Sequence, residues 1–347
     1  MMGTMRAARL HRIGEELKMD EVPIPQIGPN EVLVDVKASG ICGSDLHYRN
    51  GVSPVGKLPI TLGHEIAGVI AEVGNRIEGV VEGDRVCVHY LIACGDCVYC
   101  NMGKENLCEK YQMIGKHVDG GFAEYIKVPV RNVLKLPESI SFEQGAIIGC
   151  AVSTAFHALR RARIKEGDTI LIYGAGGVGL HTVQLASKIF GAGKLITADI
   201  SKEKLEIAKK MGADEVINVA EEDPAARIKE MTDGKLVDVA IETIGLKKTI
   251  EKAIDCVGKA GRMVTVGIGS ESIQVAPYKA IIGKEMEIIG SNDHLKHEVA
   301  ELIELAKLGK IDLSKSVTHT LSLDEVNQGM EILEKKIGNP IRVVVIQ

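Results

Sequence analysis

The chain has 347 residues, enough for about two domains, and its 45% hydrophobic and 26% charged residues are ordinary for a globular protein. Its net charge of −5 comes from 42 basic against 47 acidic residues with no basic block, which argues against nucleic acid or an anionic membrane as a partner. No apolar run approaches the ~18 residues of a membrane span, and the opening MMGTMRAARL lacks a hydrophobic signal core, so a cytoplasmic protein is expected.

Residues 1–150 carry short alternating runs, among them Glu31–Ala38, Ile66–Val73 and Asp84–Val88, punctuated by Pro23, Pro25, Pro29 and many glycines. This pattern predicts a mostly β, barrel-like domain. Cys42 opens CGSDLHYRNG, which reads as a loop, followed by Gly63-His64-Glu65 and, much later, by Cys150 in an apolar stretch. Two thiolates and an imidazole would leave a tetrahedral zinc one open position, as catalytic sites do. No local spacing links the three, however. Cys150 also reads as a small buried hydrophobe and His64 as a satisfied interior histidine.

Of the eight cysteines, four cluster as Cys94-x-x-Cys97-x-x-Cys100-x₇-Cys108. Four thiolates close a tetrahedral shell, so a zinc held there would be structural. A ferredoxin-type run would end C-x₃-C-P; here the last gap is seven residues and Glu109 follows Cys108. Zinc is therefore preferred to an iron–sulfur cluster.

From Ser153 onward strands and helices alternate. Thr169–Tyr173 is a β-branched apolar run of the kind buried on both faces of a parallel sheet. It feeds Gly174-Ala175-Gly176-Gly177-Val178-Gly179, then a helical pattern at Leu180, Val183, Ala186 and Phe190, then a second strand, Leu195–Ala198, ending in Asp199. A glycine turn alone is common; strand, glycines, helix, strand and terminal carboxylate together identify a dinucleotide site. Gly174 would make the turn, Gly176 admit the pyrophosphate against bare backbone, and Gly179 let helix pack on strand, with the helix N-terminus facing the phosphates. Asp199 would accept both adenosine-ribose hydroxyls and repel a 2′-phosphate, favouring NAD over NADP. Further strands are expected at Glu215–Asn218, Val237–Glu242, Arg262–Val266 and Met286–Ile289, with helices at Lys202–Lys210 and Lys247–Val257 the clearest. Six strands with crossovers make a doubly wound, Rossmann-type parallel sheet. The tail holds a helix at Glu298–Leu308, a capping box at Ser322–Glu325, and a last strand in IRVVVIQ.

In their order along the chain, GHE at 63–65, the four-cysteine lobe, GCAVSTAFHA at 149–158 and GAGGVG at 174–179 resemble the zinc-dependent alcohol dehydrogenases of the medium-chain dehydrogenase/reductase family. The resemblance spans essentially the whole chain. It implies a GroES-like catalytic domain of residues 1–152 and 292–347 and an NAD-binding Rossmann domain of residues 153–291. It also implies hydride transfer between a primary or secondary alcohol and NAD, with one catalytic and one structural zinc. Cys42, His64 and Cys150 would hold the catalytic zinc, Glu65 would lie close behind it, and Asp45 would orient His64. Ser44 would hydrogen-bond the alcohol and His47 would carry its proton onward. Tyr90 would wall the substrate pocket; His89 beside it has no evident role.

Toward the cofactor, the resemblance places Lys204 near the adenosine ribose, the backbone of Val266 and Ile268 at the carboxamide, and Arg342 on the pyrophosphate. The short stretch Tyr111–Gly121 resembles the tetrameric members, so a homotetramer is expected. Polyol dehydrogenases share CGSDLHY almost as it stands but carry glutamate where this chain has Cys150, so a polyol or amino-alcohol dehydrogenase is the rival enzyme. An NAD- and zinc-binding redox sensor without turnover is disfavoured, because the ligand triad and both relay residues are present together.

Overall fold

The computed structural model describes residues 3–347, and the chain divides into two units. One comprises the residues up to Ser153 together with His294–Gln347; the other is Thr154–Asp293.

In the first unit the strand Glu31–Ile41 has no exposed residue, and Val32, Val34, Val36 and Ala38 are fully buried. It is the hub of a seven-stranded sheet. Glu65–Val73 and Tyr125–Pro129 both pair with it antiparallel, with register shifts at Leu33/Val34 and Val36/Ala38 in the pairing with Glu65–Val73. Such irregularities bend and twist a sheet, which suits a barrel-like domain. Arg85–Val88 and Val133–Lys135 extend the sheet on one side. On the other, Arg342–Ile346 pairs antiparallel with Glu31–Ile41 and parallel with Val317–Ser322, so the end of the chain closes the first unit. A smaller sheet joins Lys18–Pro23, Thr4–Leu10 and Ile60–Thr61. Cys42 and Cys150 lie in one apolar cluster with Val34, Ile66, Val88 and Tyr90. At ~1.5–3 kcal/mol for each large apolar side chain buried, this core holds the two cysteine-bearing segments more firmly than local propensity does.

Two segments differ from their sequence reading. The stretch after Cys42 is a helix, Gly43–Arg49, not a loop. It starts without Ser, Thr or Asn at its cap; Asp45 instead reaches back to accept from the Cys42 N–H at 2.9 Å. Cys150 lies in a π-helical turn, Ile148–Val152, between helices Phe142–Ile147 and Ser153–Ala162, and the Ser153 hydroxyl donates to the Ile148 carbonyl there. Such widened turns recur at functional sites.

The second unit is a six-stranded parallel sheet in the spatial order Glu215–Asn218, Lys194–Asp199, Thr169–Tyr173, Val237–Glu242, Val257–Thr265 and Glu287–Gly290. Numbered along the chain this is 3-2-1-4-5-6, the Rossmann order. The order reverses at Thr169–Tyr173, so the carboxyl ends of that strand and Val237–Glu242 flank the switch point where such sheets bind ligands. Ser201 caps helix Lys202–Met211 by accepting from the Lys204 N–H, and Gly212 in the left-handed region (φ 118°) ends it. The strand expected at Arg262–Val266 begins earlier, at Val257, with a register shift in its pairing to Val237–Glu242 and Ala260 at φ 55°. The helix expected from Glu298 starts at Lys296, because the Glu298 carboxylate accepts from the Leu295 N–H at 2.9 Å.

Candidate active site

The helix Gly43–Arg49 fixes the first ligand candidate. Asp45, fully buried, accepts from the Cys42 N–H through Oδ2 and from the Gly63 N–H at 3.2 Å through Oδ1. One carboxylate thereby ties the Cys42 segment to the segment carrying His64, and its Oδ1 also faces His64 Nδ1 at 3.4 Å. With Nδ1 turned to a carboxylate, Nε2 is left to ligate a metal. That nitrogen lies 3.5 Å from Cys150 Sγ. Donor atoms of Cys42, His64, Glu65 and Cys150, all buried, lie within 4.8 Å of one another. Ligands of a tetrahedral zinc at ~2.0–2.3 Å are about 3.3–3.8 Å apart, so donor set and spacing both fit zinc.

The electrostatics are those of crowded donors. The Cys42 sulfur accepts from the Cys150 thiol, and against the cost of burial this holds the Cys42 pKa well below the ordinary thiol value. The same contact, with burial, raises Cys150. Burial opposes charging His64, yet the Asp45 carboxylate and the Cys42 sulfur outweigh it and raise its pKa. A bound divalent cation removes this competition, because coordinating thiols are deprotonated outright. The Glu65 carboxyl is pushed up to about 7 by burial, against the pull of Arg342.

Arg342 is buried with its Nη2 3.4 Å from Glu65 Oε1, while Nε and Nη2 have no hydrogen-bond partner. Expected at the cofactor, this arginine thus faces the carboxylate beside the metal ligands. Ser44 Oγ lies 3.8 Å from Cys42 Sγ, and His47, half-buried, has an unpartnered buried Nδ1. Tyr90 packs edge-on to His64 with ring centroids 5.0 Å apart, and edge-on to His294 at 5.1 Å. His89 stacks on Tyr90 at 6.0 Å, and burial lowers its pKa to about 4. No local pattern in the sequence marks His294.

The four-cysteine cluster is a second donor set, with ligand atoms within 4.8 Å of one another. Cys97 and Cys100 Sγ are 3.6 Å apart, and Cys94 and Cys100 Sγ 3.9 Å. The Cys94 N–H donates to Cys108 Sγ at 3.2 Å and the Gly95 N–H to Cys100 Sγ at 3.3 Å. Backbone N–H groups at Cys100 and Glu109 lower the Cys97 pKa to about 6. The backbone donors favour thiolates, while burial and the contacts with the Cys97 and Cys108 sulfurs raise Cys100; four thiolates would leave a zinc no open position.

In the second unit three glycines of the turn, Gly174, Gly176 and Gly179, have different reasons. Gly174 has φ 107°, a left-handed backbone. A Cβ on Gly179 would lie 1.8 Å from the Gly174 carbonyl oxygen, whereas one on Gly176 would meet nothing within 4 Å. Gly176 thus presents bare, open backbone at the start of helix Gly177–Lys188, as a pyrophosphate requires. Val178 lies within that first turn, and its carbonyl accepts from the Thr182 hydroxyl at 2.9 Å. Asp199 Oδ2 accepts from the Ala175 N–H at 2.7 Å and Oδ1 from the Ser201 N–H at 2.9 Å, which places the carboxylate beside the turn. Lys204 is buried in the first turn of the next helix. Val266 N donates to the Glu242 carbonyl at 2.8 Å, and Ile268 is exposed.

Two family models match the chain, the alcohol dehydrogenase GroES-like domain over residues 28–138 and the zinc-binding dehydrogenase over residues 177–307. An NAD-dependent alcohol dehydrogenase of Sulfurisphaera tokodaii is 36% identical, covering 98% of this chain and 100% of its own length. A sorbitol dehydrogenase of Bacillus subtilis is 39% identical over 94% of this chain and 93% of its own. Among solved structures, a short chain alcohol dehydrogenase of E. coli CFT073 complexed with NADH matches with a TM-score of 0.93 at 32% identity, covering 99% of this chain and 100% of that one. Sequence similarity along both units and the geometry of both metal-type clusters therefore agree that this chain belongs to the zinc-dependent alcohol dehydrogenases of the medium-chain dehydrogenase/reductase family.

Proposed function

We propose that the chain transfers hydride between NAD(H) and a primary or secondary alcohol, with a simple alcohol rather than a polyol as its natural substrate. The observation that carries this reading is the buried Cys42, His64 and Cys150 donor set, three protein ligands of the catalytic type. When bound, zinc supplies the Lewis acidity that draws an alcohol's pKa from ~16 toward neutrality, and the nicotinamide supplies the hydride acceptor.

The remaining roles belong to the chain. Asp45 holds the His64 imidazole, while Arg342 draws the Glu65 carboxylate at 3.4 Å. Ser44, beside Cys42, takes the alcohol's proton, and His47 passes it toward solvent. Tyr90 shapes the wall of the substrate pocket. Gly174, Gly176, Gly177, Val178 and Gly179 cradle the pyrophosphate at the start of helix Gly177–Lys188. Asp199 accepts the ribose hydroxyls with Lys204 beside it, and Val266 and Ile268 meet the carboxamide through their backbone.

Residues 1–152 with 292–347 form the proposed catalytic domain and residues 153–291 the NAD-binding one. A homotetramer is the proposed assembly. Its support is the short Tyr111–Gly121 stretch and the edge strand Glu287–Gly290, where Ile288 and, in the preceding π-helical segment Pro277–Ile282, Tyr278, Ile281 and Ile282 are exposed. Among the described residues no helix is long and apolar enough to cross a membrane. A cytoplasmic location is proposed because eight unbridged cysteines, six of them in the two clusters, suit a reducing compartment.

The polyol or amino-alcohol reading keeps one specific support, the CGSDLHY segment at 42–48. Catalytic efficiency on ethanol and benzyl alcohol against sorbitol, threonine and butanediol decides between them. A clear preference for any of the last three would move the substrate assignment.

A further inference from the structure

Glu242 ends the strand Val237–Glu242 and is fully buried opposite Tyr173, away from both metal-type clusters in the sequence. A buried carboxylate is expensive unless donors converge on it. Here Oε1 accepts from the Ile244 N–H at 3.0 Å, the Gly245 N–H at 2.9 Å and the Thr249 hydroxyl at 2.7 Å. Oε2 is buried with no hydrogen-bond partner. The side chain therefore folds the 243–246 loop back over its own strand end.

Its main chain does the same for the neighbouring strand. The Glu242 carbonyl accepts from the Val266 N–H at 2.8 Å and the Gly267 N–H at 3.2 Å. The two loops interlock: a Cβ on Gly245 would lie 2.4 Å from the Ile268 carbonyl oxygen, and one on Gly267 only 2.0 Å from the Gly245 nitrogen. The first loop also clasps the glycine turn, because the Thr243 hydroxyl lies 3.2 Å from the carbonyl oxygens of both Tyr173 and Gly174. Glu242 is thus the common anchor of three loops at the carboxyl edge of the sheet.

The sheet order says which part of a dinucleotide this anchor serves. Asp199 ends the strand on one side of Thr169–Tyr173, and Glu242 ends the strand on the other. With Asp199 on the adenosine ribose, the 243–246 and 266–269 loops belong to the opposite half. We infer that Glu242 is a positioning residue for the nicotinamide half of the cofactor, holding these two loops in the conformation that receives it. The inference rests on the cofactor reading above, in which Val266 and Ile268 meet the carboxamide.

The test compares NADH with ADP-ribose, which lacks the nicotinamide, by calorimetric titration of the full chain. Glu242→Gln keeps the shape but replaces an ionic acceptor with a neutral amide that itself carries donors; Thr249→Val removes one of the three donors. NADH affinity should fall roughly tenfold in Glu242→Gln and about threefold in Thr249→Val, with ADP-ribose affinity within about twofold of wild type in both. If Glu242→Gln fails to fold, Thr249→Val carries the same comparison. NADH affinity equal to wild type, or equal losses for NADH and ADP-ribose, overturns the positioning role. A wild-type chain that binds neither ligand overturns the cofactor reading itself and this inference with it.

Discussion

Gly176 and Gly179 lie three positions apart in one turn, and the structure predicts opposite consequences for adding a single methyl group to each. At Gly179 the new Cβ would lie 1.8 Å from the Gly174 carbonyl oxygen and 3.1 Å from the Thr243 hydroxyl. Ordinary contact needs more than an ångström of extra room, so helix Gly177–Lys188 must move off the strand. Overpacking of this kind costs about 1–3 kcal/mol. At ~2–4 °C per kcal/mol, Gly179→Ala should lower the melting temperature by about 2–12 °C and disturb NADH binding with it. At Gly176 the backbone has φ −78° and ψ −170°, which alanine adopts freely, and the Cβ would touch nothing within 4 Å. Gly176→Ala should therefore melt within about 1 °C of wild type, yet weaken NADH at least ~tenfold, because its methyl lies where the pyrophosphate must approach bare backbone. Thermal unfolding beside fluorescence titration with NADH measures both. A Gly176→Ala chain that binds NADH as tightly as wild type would refute the assignment of the turn.

Asp199→Gly should shift the preference from NAD toward NADP by a factor of about ten to several hundred, since it removes a charged acceptor and relieves repulsion of a 2′-phosphate; equal wild-type efficiency with both cofactors would remove the ribose assignment. Cys97→Ser should cost one zinc per chain and lower the melting temperature by at least ~5 °C, with turnover per folded molecule little changed below that point. A Cys97→Ser chain that stayed stable but lost activity would make this cluster catalytic. Cys150→Ala should lower activity by several orders of magnitude while NAD binding persists. Because Glu65 lies within 4.8 Å of the other donors, the double variant with Glu65→Ala should lose the metal more fully than either single change, measured as zinc by mass spectrometry. Full zinc and near-normal turnover in Cys150→Ala would leave that cysteine a core residue only.

What could be read from the sequence follows how local each interaction is. Cys94, Cys97, Cys100 and Cys108 are close in the chain, so their spacing carries their chemistry. The glycine turn is likewise local, with Gly174, Gly176 and Gly179 each explained by a neighbour or by open space. Cys42, His64 and Cys150 meet only through the sheet built on Glu31–Ile41 and through a π-helical turn that no periodicity announces. Their grouping came from family resemblance, and the structure supplies the geometry. The helix Gly43–Arg49 was hidden because its cap comes from Asp45 inside it, while its Gly-Ser start and Asn-Gly exit look like turn residues. Glu242 was invisible for a related reason. A carboxylate at a strand end looks like a surface charge until the 243–246 loop closes over it.

If the Cys42, His64 and Cys150 set makes this chain an NAD-dependent alcohol oxidoreductase, the purified chain given NAD and a simple alcohol forms NADH, with zinc counted in the same sample and in Cys42→Ser. Two zinc ions per chain, one for each cluster, are expected, with alcohol-dependent NADH formation. Cys42→Ser should lose one zinc and nearly all turnover while still binding NADH. A chain that carries both zinc ions and binds NADH but oxidises no alcohol, or a Cys42→Ser variant that turns over like wild type, would contradict this assignment.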